Sequence, residues 1–292
     1  MRRLGFGCVG SNRQLRGCVE APCNHARVIP IEERFQRPSV MGVVNVTPDS
    51  FSDGGVHFDP DVAVAAARRM HDEGAAIVDV GGESTRPGSD GVSADEELRR
   101  VVPVLERLGR SVPVSIDTAK AEVARRAIGL GAELVNDVTA LRADPELAGV
   151  VADSDAYLCL MHMQGEPRTM QVDPRYDDVA SEVAAFLEER LAFAVAQGIA
   201  EDAICLDPGI GFGKTVEHNI ELIRRLDVLL ALGRPVLIGI SRKSTLTRLG
   251  ASDLESASVG AAVAAYERGA TIIRAHDVAS HVAALNIAKA FA

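Results

Sequence analysis

The sequence contains no tryptophan, and aromatic residues make up only 4% of it. A platform of stacked rings for bases or sugars is therefore not on offer. Long apolar runs are missing as well. Those present, such as the one ending at Leu160, have strand length and fall short of the roughly 20 residues that cross a bilayer. Positive charge is in deficit, with 31 Lys and Arg against 41 Asp and Glu and a net charge of −10. That balance argues against a nucleic-acid partner, although a local cationic pocket can still hold a small anion. Cysteine is scarce and no CxxC pair occurs, so Cys8, Cys18, Cys23 and His25 lack the spacing of a zinc site. Cys159 and Cys205 lie in apolar strand-like runs and are expected to be reduced and buried.

Residues 1–38 form a basic, Arg-rich extension without the apolar core of a secretory signal, so the expected compartment is the cytoplasm. The Arg content is that of an organelle transit peptide, a reading that Glu20, Glu32 and Glu33 oppose, and an upstream start codon would also account for it. Residues 26–38 are expected to cap the bottom of the domain that follows, 39–292.

What the chain has in abundance is Ala, Val and Leu, within a hydrophobic content of 47% that suits buried parallel strands and the helices packed on them. From Val40 onward, short β-type apolar runs alternate with longer amphipathic stretches. Strands are expected at 40–45, 76–81, 114–117, 134–137, 157–162, 203–207, 236–240 and 271–276. Helices are expected at 61–73, 94–108, 119–130, 146–152, 177–197, 216–226, 254–268 and 279–290. Gly74, Gly131, Gly198 and Gly269 stand where left-handed residues end helices. Eight such units in about 250 residues predict a single (β/α)8 TIM barrel with a short N-terminal extension. A doubly wound open sheet is the alternative. It would gather its polar residues at one switch point, whereas here they stand at all eight strand ends.

In a (β/α)8 barrel those ends are the catalytic face. Asn45, Asp79, Asp117, Asn136, Asp137, His162, Asp207, Ser241, Arg242, Lys243, Arg274 and His276 stand there. Any one of them could be only a cap or turn former. Asp117, Asn136, Asp207 and Lys243, from four different strand ends, combine carboxylates, an amide and a cation. That set fits a planar heterocycle with an aminopyrimidinone edge. Asn45, Arg274 and His276, from the first and last strands, make a diphosphate site where Mg²⁺ could bridge phosphate oxygens. The turn Ser241-Arg242-Lys243-Ser244 is expected to open a helix whose N–H groups attract a carboxylate or phosphate, or to be a plain cap by Ser241. The run DPGIGFGK at 207–214 lacks the spacing of a dinucleotide or P-loop motif. Its glycines are read as letting the backbone turn close to a flat ligand, with Phe212 beside it.

Five blocks together resemble dihydropteroate synthases: MGVVNVTPDSFSDGG from Met41, DVGGESTRPG from Asp79, SIDT from Ser115, DPGIGFGK from Asp207 and SRKS from Ser241. NDVTAL at Asn136, LMHMQGEPRTMQ at Leu160 and IIRAHDV at Ile272 extend the likeness to the C-terminus. The resemblance implies a transferase that condenses a dihydropterin diphosphate with p-aminobenzoate. It implies a pterin slot at Asp117, Asn136, Asp207, Lys243 and Phe212, and a diphosphate clamp at Asn45, Arg274 and His276 with Mg²⁺ on Asn45. Asp117, Lys243 and Arg274 are implied to be catalytic. The loops at 46–55 and 83–91 are implied to close over the site, with Phe51, Thr85, Arg86, Pro87 and Ser244 around p-aminobenzoate. A homodimer is also implied. The residue after SRKS is Thr245, where the family commonly has Phe or Met, so altered packing and altered sulfonamide sensitivity are expected. Two rivals differ in class. A corrinoid-dependent methyltransferase domain would not need the SRKS and STRPG blocks, and a silent pterin-binding paralogue would not need Asn45, Asp117, Arg274 and His276.

Overall fold

Parallel strands feeding helices need both faces buried, and every strand of this chain is covered on both sides. The computed structural model describes residues 29–47, 59–84, 88–89 and 91–292. Its strands are β1 (Ser39–Asn45), β2 (Ile77–Gly81), β3 (Val114–Asp117), β4 (Ala132–Asp137), β5 (Tyr157–Met161), β6 (Ile204–Asp207), β7 (Leu237–Ile238) and β8 (Ile272–Ala275). All pair in parallel in the order β6-β5-β4-β3-β2-β1-β8-β7. The ring closes through a single bridge between Leu206 and Val236. The expected (β/α)8 barrel is therefore what forms.

The described helices are α1 (Ile31–Arg34), α2 (Pro60–Asp72), α3 (Ala94–Leu108), α4 (Ala121–Gly129), α5 (Leu147–Ala152), α6 (Val179–Ala196), α7 (Val216–Arg224), α8 (Leu226–Leu230), α9 (Ser244–Arg248), α10 (Leu254–Glu267) and α11 (Val278–Phe291). Their starts obey local chemistry. Asp59, Ser93, Asp178, Thr215, Asp253 and Asp277 each accept a backbone N–H from the first turn of the helix that follows. The four glycines expected to end helices have φ between +95° and +109°.

Two segments depart from expectation. The seventh strand shrinks to two residues because the chain leaves the ladder at Gly239, beside the Arg274 side chain. The helix expected over 216–226 breaks at Arg225 into α7 and α8.

Alternation along each strand sends every second side chain inward. Met41, Ile77, Leu134, Tyr157, Cys159, Cys205, Leu237 and Ile272 thus form an apolar layer inside the barrel. Below it, Ile31 and Phe35 plug the bottom, both fully buried. Phe35 meets Tyr157 edge-on at 5.8 Å, and the Tyr157 hydroxyl donates to the Ile29 carbonyl at 2.9 Å. Arg34 fastens this plug through Glu133 at 2.9 Å. Cys159 and Cys205 sit side by side in register, reduced and buried. Cys8, Cys18, Cys23 and His25 lie outside the described residues.

Candidate active site

One step above the apolar layer, the inward positions turn polar. Asp79 is fully buried, and its Oδ2 accepts from Arg274 Nε at 2.7 Å and from Asn136 Nδ2 at 3.0 Å. Arg274 Nη2 donates to Asp117 Oδ2 at 3.1 Å. Gly81 makes room for this, since a Cβ there would lie 3.2 Å from the Asp117 Cβ. Side chains from β2, β3, β4 and β8 are thereby joined, with Arg274 bridging the two carboxylates. The network is incomplete: Asp79 Oδ1, Asn136 Oδ1 and Ser115 Oγ are buried without a partner. A buried polar atom left unpaired costs about 1–3 kcal/mol. Unpaired acceptors at this level of the barrel fit a ligand that brings N–H donors.

Electrostatics fit that reading. Burial, then the neighbouring Asp79 charge, push the Asp117 carboxyl up to about 8 against the pull of Arg274. Burial raises Asp207 to about 6, although the Gly209 N–H donates to it at 2.7 Å and Lys243 draws it down. Burial, followed by repulsion from Arg274, lowers Lys243 to about 8. For Arg274 itself burial opposes the charge, but Asp79 and Asp117 outweigh it and hold the guanidinium above its ordinary value.

The loop after β6 forms the next wall. Gly209 has φ +67°, and a Cβ there would run into the His162 carbonyl oxygen, so only glycine fits. Phe212 carries the Lys243 ammonium 4.1 Å above its ring and packs against Val138, Met161, Met163 and Met170. Lys214, which sequence reasoning left without a role, ties this loop inward. Its buried Nζ lies 2.9 Å from both His162 Nδ1 and the Phe212 carbonyl. Burial is the main force that lowers Lys214 to about 7, and burial likewise holds His162 far below the ordinary histidine range.

At the rim, Asn45 ends β1 half-buried and His276 follows the adjacent β8. Ser241 does not cap a helix. Its hydroxyl lies 3.0 Å from His276 Nδ1 and also accepts the His276 N–H at 3.3 Å. The hydroxyl thus holds both the backbone and the ring of His276, and the Nδ1 contact runs in either direction according to the tautomer. Arg242 is held at φ +58°, a strained position for a side-chain-bearing residue. Ser244 is exposed and opens α9, a helix of only five residues.

Arg274, grouped by sequence with Asn45 and His276, has its guanidinium among the carboxylates deeper in the mouth. Asp137 is a turn former: its oxygens accept from Thr139 and Leu141 N–H groups at 2.8 and 2.6 Å. Phe51, Thr85, Arg86 and Pro87 lie outside the described residues. What can be described of the second loop is its stem. Glu83 accepts from Val92 N–H at 2.9 Å and from Lys120 at 2.7 Å, and Lys120 also binds the buried Glu97 at 2.6 Å. Lys214 is the main omission, and its only sequence signal was a charge inside a glycine-rich run; Asp79 stood among the polar strand ends but was given no role of its own.

Known proteins resemble this chain over most of its length. Residues 41–276 match the family model for the pterin binding enzyme. The dihydropteroate synthase of Neisseria meningitidis serogroup B is 48% identical over 266 residues, covering 88% of this chain and 93% of that protein. The Xanthomonas albilineans dihydropteroate synthase, solved with 4-aminobenzoic acid, superposes with a TM-score of 0.82 at 47% identity, covering 88% of this chain and 94% of that one. A second structure of it, in complex with 7,8-dihydropteroate, gives 0.79 at 45% identity with the same coverage.

Proposed function

Since this chain belongs to the pterin binding enzyme family and catalyses the dihydropteroate synthase reaction, we propose how its side chains divide that reaction between them. The chemistry joins 6-hydroxymethyl-7,8-dihydropterin diphosphate to p-aminobenzoate, giving 7,8-dihydropteroate and pyrophosphate. The bond from the pterin methylene carbon to the diphosphate oxygen breaks, the aniline nitrogen bonds to that carbon, and the aniline loses a proton.

The pterin lies deep in the mouth. Asp207 and Asn136 Oδ1 accept its N–H groups, and Lys243 donates to its carbonyl oxygen. Asp117 faces the methylene as it gains cationic character, and Arg274 holds Asp117 in place. A guanidinium has five N–H donors, and the two carboxylates engage two of those on Arg274. The others would serve the leaving diphosphate, alongside His276. The aniline ring packs on Phe212 beneath Lys243, with its carboxylate toward Ser244. The remaining second-substrate contacts, Phe51, Thr85, Arg86 and Pro87, are part of the same proposal. No covalent enzyme intermediate is needed.

Mg²⁺ is the proposed metal, and the donor set fits one that arrives with its phosphates. Asn45 offers a neutral oxygen at the rim, and no group of three His, Cys, Asp or Glu able to hold an ion occurs among the described residues. Held by Asn45, the ion would neutralise charge on the leaving group.

The homodimer is likewise proposed. It is supported by α11, which exposes Ile287 at 61% and Phe291 at 87%. A reducing cytoplasm suits the free Cys159 and Cys205. No helix among the described residues is long and apolar enough to cross a membrane.

The observation that carries the residue assignment is the buried Asp79–Arg274–Asp117–Asn136 network with its orphaned acceptors. The test is pyrophosphate release from the two substrates with Mg²⁺. Product at saturating substrate supports the reading, and its absence from folded protein refutes it.

A further inference from the structure

Thr245 follows directly on the Ser241–Ser244 turn and is buried. Its hydroxyl oxygen accepts from Asn219 Nδ2 at 2.9 Å. Asn219, buried on α7, uses its Oδ1 to accept the Gly211 N–H at 2.8 Å. A hydroxyl on α9, an amide on α7 and a backbone N–H in the loop after β6 thus form one buried chain of hydrogen bonds.

The Gly211 donor fixes which end of the Asn219 amide is oxygen. The other end is then a donor pair in a closed interior, and the Thr245 hydroxyl is its acceptor. Both termini of the chain return to one side chain. Thr245 stands two residues after Lys243, while Gly211, at φ +83°, packs so closely that a Cβ would lie 3.3 Å from Lys243 Cδ. The next residue, Phe212, carries the Lys243 ammonium over its ring.

We propose that Thr245 and Asn219 are positioning residues which hold Phe212 and Lys243 in register, and that the Thr245 hydroxyl thereby sets affinity for the second substrate. This rests on the proposed packing of the aniline ring on Phe212 beneath Lys243, which also donates to the pterin carbonyl oxygen. The latch touches none of the strands that carry Asp117, Asn136 and Asp207. Its effect therefore falls chiefly on p-aminobenzoate and on sulfonamides that occupy the same place, because the pterin keeps its contacts to Asp117, Asn136 and Asp207.

Thr245→Val keeps the shape and removes the acceptor, whereas Thr245→Ser keeps the acceptor. In the full chain without substrates, Thr245→Val is expected to speed hydrogen exchange at the Gly211 amide by about tenfold. In turnover it raises KM for p-aminobenzoate by about fivefold to tenfold, leaving kcat and KM for the pterin diphosphate within about twofold. Thr245→Ser matches the parent in every readout. Unchanged Gly211 exchange in Thr245→Val overturns the latch. So does an equal rise in both KM values, or a Thr245→Ser variant that behaves like Thr245→Val. If the parent protein releases no pyrophosphate, the reaction assignment fails, and Gly211 exchange still decides the latch.

Discussion

Replacing Lys214 by methionine separates the cost of a buried charge from the benefit of its hydrogen bonds. The lysine is almost fully enclosed, and its Nζ touches His162 and the Phe212 carbonyl. Burial lowers it to about 7 from the ordinary 10.5, with Asp207 pulling the other way. Between those two values the unfolded chain binds the proton more tightly than the native one, so native stability climbs with pH. The contribution is complete above the unfolded value and is lost as pH falls through about 7. From pH 7 to pH 9 it amounts to about 2 kcal/mol. Methionine fills much the same volume and cannot titrate. The difference in unfolding free energy, parent minus Lys214→Met, should therefore rise by about 2 kcal/mol over that interval in urea titrations at fixed ionic strength. A difference that stays flat would show that Lys214 keeps its proton throughout, and that its acceptors outweigh its burial.

Three further outcomes are expected. Asp117→Asn removes a carboxyl that can ionise as the reacting carbon gains positive charge, and kcat should fall about 100-fold with a smaller change in KM; a kcat within threefold of the parent would remove Asp117 from the chemistry. Gly209→Ala drives a methyl group into the His162 carbonyl and should lower Tm by at least about 3 °C in calorimetry, while Gly233→Ala, which meets no neighbour but shares the positive φ, serves as the control for backbone strain alone. Chelation of divalent ions should reduce pyrophosphate release at least about tenfold, with recovery on adding Mg²⁺; undiminished turnover in excess chelator would exclude the proposed metal.

The barrel was legible because its strands are apolar and β-branched, whichever face they present, and because glycine marks the helix ends. Where that signal failed, tertiary contacts had taken over. Val236–Ile240 reads as a full strand, but only Leu237 and Ile238 pair with β8, since the chain turns away beside Arg274. The polar strand ends were legible as a set and not as individuals. Asp137 and Asp117 look alike in sequence, yet one binds its own turn and the other faces the mouth. Ser241 reads as a helix cap because its true partner, His276, lies 35 residues away. The Asp79–Arg274 pair spans 195 residues, a separation that local pattern does not encode.

The plug of Ile31 and Phe35 beneath Tyr157 makes the barrel a well with one opening. Everything that reaches the bottom layer must leave by the way it came. On the proposed placement, the pterin seated deeper would have to enter before the p-aminobenzoate above it. The order of arrival would then follow from the closed end, some distance from any group that takes part in the chemistry.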